Sequence, residues 1–325
     1  MLSARRSPDD VCSAYRRKVD TRPLHNDTRN PMAIFTHAGR RLHYLERGTG
    51  TPVLMIHGLG STGADWSLQA PALEPFCRMI VPDLPGSGHS DSHGSFAIAD
   101  YAEALWALLD GLGASPANIV GFSLGGAVAL EMALQRPAAV PRLALINSLA
   151  TYQVDNVQKW VEARVFAALV RVVGMRWTAR VTASRVFPET WQQPMRDRVV
   201  DVLGAVPAAT YLGMARGLER WTATSRLGRL RCRILMIAAE HDYTSLAEKR
   251  ALATRLGASL VVARGSRHGT PFDAVELTNA ALVALLTDQP PPTHERCIRD
   301  ASVVRRWPFD GSLAEEHAAE RPEAA

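Results

Sequence analysis

Six short apolar runs spaced along the chain constrain its fold more than any other feature: Val53–Ile56, Arg78–Val81, Asn118–Val120, Leu143–Ile146, Ile234–Ile237 and Leu260–Val262. A strand wet on one face alternates apolar with polar residues. These runs are almost continuously apolar, the pattern of strands covered on both faces. Helical stretches such as Tyr101–Leu112 and Leu246–Leu256 separate most of them. Strands joined through helices need crossover connections, which predicts an α/β fold with a mostly parallel sheet covered on both sides. Ahead of the first run, Ile34–Phe35 and Leu42–Leu45 flank a turn at Gly39 and predict a hairpin. The rhythm stops between Asn147 and Arg229. There Val157, Trp160, Val161, Val165, Leu169, Val172 and Val173 follow a helical period, which predicts a helical cap over 148–229 inserted into a core of 32–147 and 230–287.

The flanks have a different character. Residues 1–31 are polar, charged and broken by Pro8, Pro23 and Pro31, and 288–325 run through Pro290–Pro292 into a charged, alanine-rich stretch. Both compositions predict disorder, because they offer too little apolar surface to offset chain ordering. The orderly pattern begins at Met32, a candidate translation start.

The third run leads straight into Gly121-Phe122-Ser123-Leu124-Gly125, a G-x-S-x-G sequence, and then into helix-forming residues up to Arg136-Pro137. This is the strand–turn–helix setting of a nucleophile elbow, in which a strained turn projects the serine hydroxyl and flanking glycines avoid backbone clash. Ser123 is therefore the candidate nucleophile. A serine hydroxyl needs a base within hydrogen-bond reach, and the base needs an orienting group. Among ten histidines, His268 follows the last apolar run and so falls at the sheet edge toward which the elbow points. The orienting carboxylate belongs at another strand end. The run ending at Ile146 is followed by Asn147-Ser148-Leu149, which offers none, whereas Ile237 is followed by Glu240-His241-Asp242. Asp242 is favoured over Glu240. For a developing oxyanion, the N–H of Leu124 supplies one donor, and the loop His57-Gly58-Leu59-Gly60 supplies a second, assigned to Leu59 ahead of Gly60. His57 sits at a strand end and suits a structural hydrogen bond. The Asp83–Asp91 turn is glycine-rich but lacks the lysine of a phosphate loop, which makes it architecture.

In combination, the HGLG loop, DLPGSGHSD, GFSLGG and the late EHD and RHGTP segments resemble the α/β-hydrolase superfamily over about 33–287. That resemblance implies an eight-stranded, mostly parallel sheet with a variable lid, and a Ser123, Asp242, His268 triad. It points to the cofactor-free members that cleave esters, enol-lactones or the carbon–carbon bond of ring-fission products. Serine at the elbow separates the chain from members that use aspartate there. The expected activity is cleavage of a small-molecule ester, lactone or related acyl bond. Acyl transfer by the same triad and slow-turnover ligand sensing are the alternatives.

Composition removes other classes. The chain has 325 residues, is 47% hydrophobic and 21% charged, and carries a net charge of +5 without a basic stripe, so nucleic acid is not expected as a partner. It has no apolar run of the roughly 18 residues that span a bilayer and no signal-peptide pattern near Met1, which predicts a cytoplasmic protein. Its four cysteines form no C-x-x-C pair, so neither a metal site nor a disulfide framework is predicted, and no cofactor is implied. The expected partner is a small apolar or aromatic acyl compound. Between 151 and 230, 12 Lys and Arg stand against 6 Asp and Glu, about +6, together with Trp160, Trp177, Trp191 and Trp221. These form either the core of a helical subdomain with solvated arginines or an aromatic cavity with an arginine for an anionic substrate.

Overall fold

The computed structural model describes residues 32–92 and 94–292. The predicted arm at 1–31 and most of the predicted tail lie outside the described residues. Eight strands form one sheet: β1 (Ala33–His37), β2 (Arg40–Arg47), β3 (Pro52–Ile56), β4 (Arg78–Pro82), β5 (Asn118–Phe122), β6 (Arg142–Ile146), β7 (Arg233–Ala239) and β8 (Ser259–Ala263). Their order is β1-β2-β4-β3-β5-β6-β7-β8. β2 is antiparallel to β1 and β4; every pairing from β4 to β8 is parallel. Ala38 and Gly39 close the β1–β2 hairpin with φ of +49° and +74°, the backbone that a two-residue turn needs to match strand twist.

The continuous apolar runs are explained by two cores. Side chains alternate across a sheet, so Leu54 and Ile56 point with Ile80, Ile119, Leu143 and Leu145 to one side, against Tyr101, Leu105, Trp106 and Leu130. Val53 and Met55 point with Val81, Val120, Ile146 and Ile237 to the other, against Leu73, Leu277, Ala281 and Leu282. The first side is covered by α1 (Ile98–Gly111) and α2 (Leu124–Gln135). The strand alternation therefore persists, with both phases apolar. α2 ends before Arg136-Pro137, whose ring and missing N–H cannot continue a helix.

Between β6 and β7 lie α3 (Val157–Val173), α4 (Met175–Val186), α5 (Gln193–Ala205) and α6 (Ala208–Glu219). They share a small core of Val170, Met175, Ala179, Leu203, Tyr211 and Leu212. An isolated antiparallel bridge, Thr151 to Thr222, closes the neck of this insertion. Trp221 lies buried at the neck, its Nε1 donating to Glu131 on α2 at 2.8 Å, while Arg226 pairs with the same carboxylate at 2.8 Å. Trp160 and Trp177 are exposed, so they serve neither as core nor as cavity wall. After β7 come α7 (Leu246–Leu256) and, beyond β8, α8 (Val275–Leu286). Asp288, placed in the tail by composition, pairs with both Arg142 and Arg233, so ordered packing extends past the predicted boundary.

Candidate active site

Parallel strands end together, and four strand ends build the site. β5 runs into Ser123, which adopts φ 54° and ψ −116° before α2 begins. A non-glycine residue there costs about 1–3 kcal/mol and persists only where its surroundings force it. They do so here: the Ser123 N–H donates to the Ile146 carbonyl of β6 at 2.9 Å. A Cβ on Gly121 would come within 2.2 Å of the Gly125 carbonyl oxygen, and one on Gly125 within 2.3 Å of the Ile56 carbonyl oxygen. The glycines of the motif are thus demanded by backbone on both sides of the turn.

His268 Nε2 stands 2.9 Å from Ser123 Oγ, and its Nδ1 stands 2.8 Å from Asp242 Oδ1. An ionised carboxylate only accepts, so Nδ1 carries the proton and Nε2 is left to accept one from the serine. The sequence-predicted Ser123, His268 and Asp242 are therefore brought together. Glu240 is not; it accepts the Gly265 N–H at 2.9 Å and braces a turn. His57 donates through Nδ1 to the Gly58 carbonyl at 2.8 Å and accepts the Leu84 N–H at Nε2 at 2.9 Å. Burial pulls its pKa below the usual value, and with both nitrogens engaged it ties two loops. In one of them, Asp83 accepts the N–H groups of Gly63 at 2.8 Å and His89 at 3.0 Å.

The sequence-predicted oxyanion donors, Leu124 and Leu59, belong to two segments that meet beside Ser123. Leu124 is the first residue of α2, where helix geometry leaves the N–H without an intrahelical acceptor. Beside it, a Cβ on Gly58 would sit 3.4 Å from Ser123 Cβ, which brings the Gly58-Leu59-Gly60 turn against the serine. Gly60 has φ +71° and lies under Leu203 of α5, so the insertion roofs this turn. A second clamp holds that roof: Arg198 of α5 donates to Asp65 at 3.0 Å and to Thr62 Oγ1 at 3.1 Å, both in the segment that follows β3. A line of rings, Phe187, Phe272 and Phe122, steps from α4's end to His268 at centroid spacings of 6.1, 6.2 and 5.1 Å.

Three neighbours were not found from the sequence. Lys249 is fully buried and ion-pairs with Asp242 Oδ2, the oxygen that His268 leaves free and that Thr244 Oγ1 also reaches at 2.7 Å. Burial alone would raise the Asp242 pKa, but His268 and Lys249 outweigh it and hold the carboxyl well below the usual range. Asn147, wholly buried with φ 48°, donates through Nδ2 to the His268 carbonyl and to Thr270 Oγ1, each at 2.7 Å. Its Oδ1 accepts the Ala239 N–H at 2.7 Å. Asn147 thereby fixes the base loop to β6 and β7. Tyr243 lays its ring 4.1 Å from that of His268, and its hydroxyl stands 2.6 Å from Nε2. One lone pair on Nε2 cannot serve Tyr243 and Ser123 fully at once. Only Lys249 left a trace in the sequence: it shares the inward phase of α7 with Leu252 and Ala253.

The family described as the alpha/beta hydrolase fold matches residues 51–258. The chain is 43% identical over 101 residues to the magnesium-chelatase 30 kDa subunit of Rhodobacter capsulatus, but this covers 30% of the chain and 35% of that protein. It spans 39% of the next relative, an uncharacterised Mycobacterium bovis protein to which it is 35% identical over 133 residues. Thus it matches about two fifths or less of these two relatives. Against the putative carbamate hydrolase RutD of Variovorax paradoxus it is 31% identical over 211 residues, covering 62% of the chain and 78% of that protein. Among solved structures, a hydrolase from Pseudomonas aeruginosa superposes with a TM-score of 0.72 at 25% identity, covering 81% of this chain and 99% of that one. The enol-lactonase of Burkholderia xenovorans superposes at 0.71 and 22% identity, covering 78% and 100%. With this sheet order, and with the family matched across well over half its length, the chain belongs to the alpha/beta hydrolase fold family.

Proposed function

We propose that the protein is a serine hydrolase that cleaves a carboxylic ester, lactone or related acyl bond through an acyl-enzyme. The observation that carries this is the hydrogen-bond chain from Ser123 through His268 to Asp242, anchored at a strained strand-to-helix turn. In the first half-reaction His268 Nε2 takes the Ser123 proton as Oγ bonds to the carbonyl carbon. The bond to the leaving group then breaks, and the leaving group carries that proton away. Asp242 stabilises the imidazolium, and the N–H groups of Leu124 and Leu59 receive the oxyanion. Water, deprotonated by the same nitrogen, attacks the acyl-enzyme and returns the free serine.

The phenylalanine line beside the base supports an apolar or aromatic acyl group as substrate. Relatives named for carbamate, semialdehyde and methyl ester hydrolysis fit the same broad class. Treatment with a fluorophosphonate, followed by peptide mass spectrometry, tests the reading. Labelling at Ser123, absent in Ser123→Ala, is the expected result. Undiminished turnover of p-nitrophenyl esters by Ser123→Ala overturns it.

A further inference from the structure

Helix α3 turns much of its apolar side away from the protein. Val157 is 78% exposed, Val165 61% and Val172 83%, and Trp160, Val161 and Leu169 are exposed between them. They recur at spacings of three and four along a 17-residue helix, so they form one outward stripe. The inward side is represented by Val170, which closes the small core of the insertion. A helix on an ordinary protein surface has the reverse arrangement. Arg164 and Arg171 are exposed on the same helix, Arg164 lying 5.3 Å over the Trp160 ring. α4 adds exposed Arg176, Trp177 and Arg180. Across α3 and α4 the sequence has a single acid, Glu162, against Lys159 and five arginines.

Charge selects among occupants. A second copy placed two-fold on this face would set these arginines against their own equivalents, with one glutamate per chain to answer them. An anionic lipid surface answers both features: valine and tryptophan side chains enter the headgroup–acyl boundary while arginines reach phosphates. We propose that the outward face of α3, extended by the start of α4, docks the protein peripherally on an anionic membrane. Docking there is compatible with the absence, among the described residues, of a helix long and apolar enough to cross a membrane. α4 ends beside Phe187, which stands over Gly269 in the base loop, so the docked face and the site share one helix.

Sedimentation of the full chain with vesicles tests this, comparing phosphatidylcholine alone with a phosphatidylcholine–phosphatidylglycerol mixture. Binding to the anionic mixture, weakened by added salt, is the expected result. Val165→Glu/Leu169→Glu changes only exposed positions; it should weaken binding more than about tenfold and leave hydrolysis of a soluble ester unchanged. Arg164→Gln and Arg171→Gln should each weaken it about fivefold, whereas Arg250→Gln on α7 should not. Absence of binding to the anionic vesicles overturns the proposal, as does binding indifferent to Val165→Glu/Leu169→Glu. A dimer in sedimentation velocity that this double variant dissociates, without vesicle binding, assigns the face to a second copy. Vesicle binding that emerges only after removal of residues 293–325 assigns it to that segment.

Discussion

The sheet edge and the helical insertion are built to different standards. At the edge, Ser123 is held by its own N–H bond to β6 and by glycines packed against backbone on two sides. Asn147 alone joins β6, β7 and the base loop. In the insertion, four helices share a small core of six buried side chains, and one of them shows its apolar stripe to the outside. Over-determination is what permits strain at Ser123, because an unfavourable backbone survives only where relaxing it would break several other contacts. The insertion meets the core through side chains, among them Arg198 with Asp65, Leu203 over Gly60, Phe187 over Gly269 and Trp221 with Glu131. On the proposed reading, the chemistry sits at the over-determined edge, and the choice of substrate and surface sits in the insertion.

The largest effect that tests this contrast is at the nucleophile. Ser123→Ala should lower hydrolysis of p-nitrophenyl acetate about 10⁴-fold or more while leaving the unfolding transition in place. Comparable turnover in the variant would move the chemistry elsewhere.

Next is the buried pair behind the base. Lys249→Met leaves Asp242 without its cationic partner, and breaking a buried pair from one side costs about 3–5 kcal/mol. Urea unfolding at pH 7 should show that loss. The sign with pH follows from the depressed Asp242 pKa. The pair's contribution is complete above the unfolded carboxyl value of about 3.9 and is lost as pH falls through the folded one. The gap between wild type and variant should therefore narrow in acid. An unchanged gap between pH 7 and acid would show that the ionised Asp242 carboxyl does not carry the pair's contribution.

A smaller effect is expected where the insertion is clamped. Arg198→Met removes the bond to Asp65 and should lower kcat/KM for a bulky aromatic ester about tenfold, with hydrolysis of the acetyl ester much less affected. Equal losses for both esters would show that the clamp serves the core.

The smallest concerns Asp273, whose carboxyl is pushed up to about 7 by burial although Ser266 Oγ donates to it at 2.6 Å. Its folded pKa lies above the unfolded value of about 3.9, so it favours folding in acid and loses that contribution as pH rises from about 4 to 7. Asp273→Asn should flatten the fall in melting temperature between pH 5 and pH 8. An unchanged slope would show that this carboxyl is already ionised at pH 5.

Much of the edge was legible because its demands are local. Gly121, Ser123 and Gly125 belong to one turn, and six apolar runs declare strands covered on both faces, since alternation is invisible when both phases are apolar. Lys249 shows its anomaly only as a lysine in the apolar phase of α7, and Asn147 shows none. Its importance comes from a left-handed backbone and from carbonyl and hydroxyl partners more than 90 residues away. In the insertion the helical period was legible, but the direction of its apolar side was not. Periodicity says that a helix has two faces, never which one the protein keeps.

What the sequence determined by itself, then, is the sheet, the elbow at Ser123 and the chain order of its partners, because each follows from periods and turns a few residues long. The tertiary structure decided that Asp242 and not Glu240 meets His268, that Lys249 pairs with Asp242 while Tyr243 stacks on His268, and that the apolar stripe of α3 faces outward. The physical reason is common to all three. Contacts between distant segments depend on how whole elements pack, and a side chain's partner is fixed only once both backbones are in place.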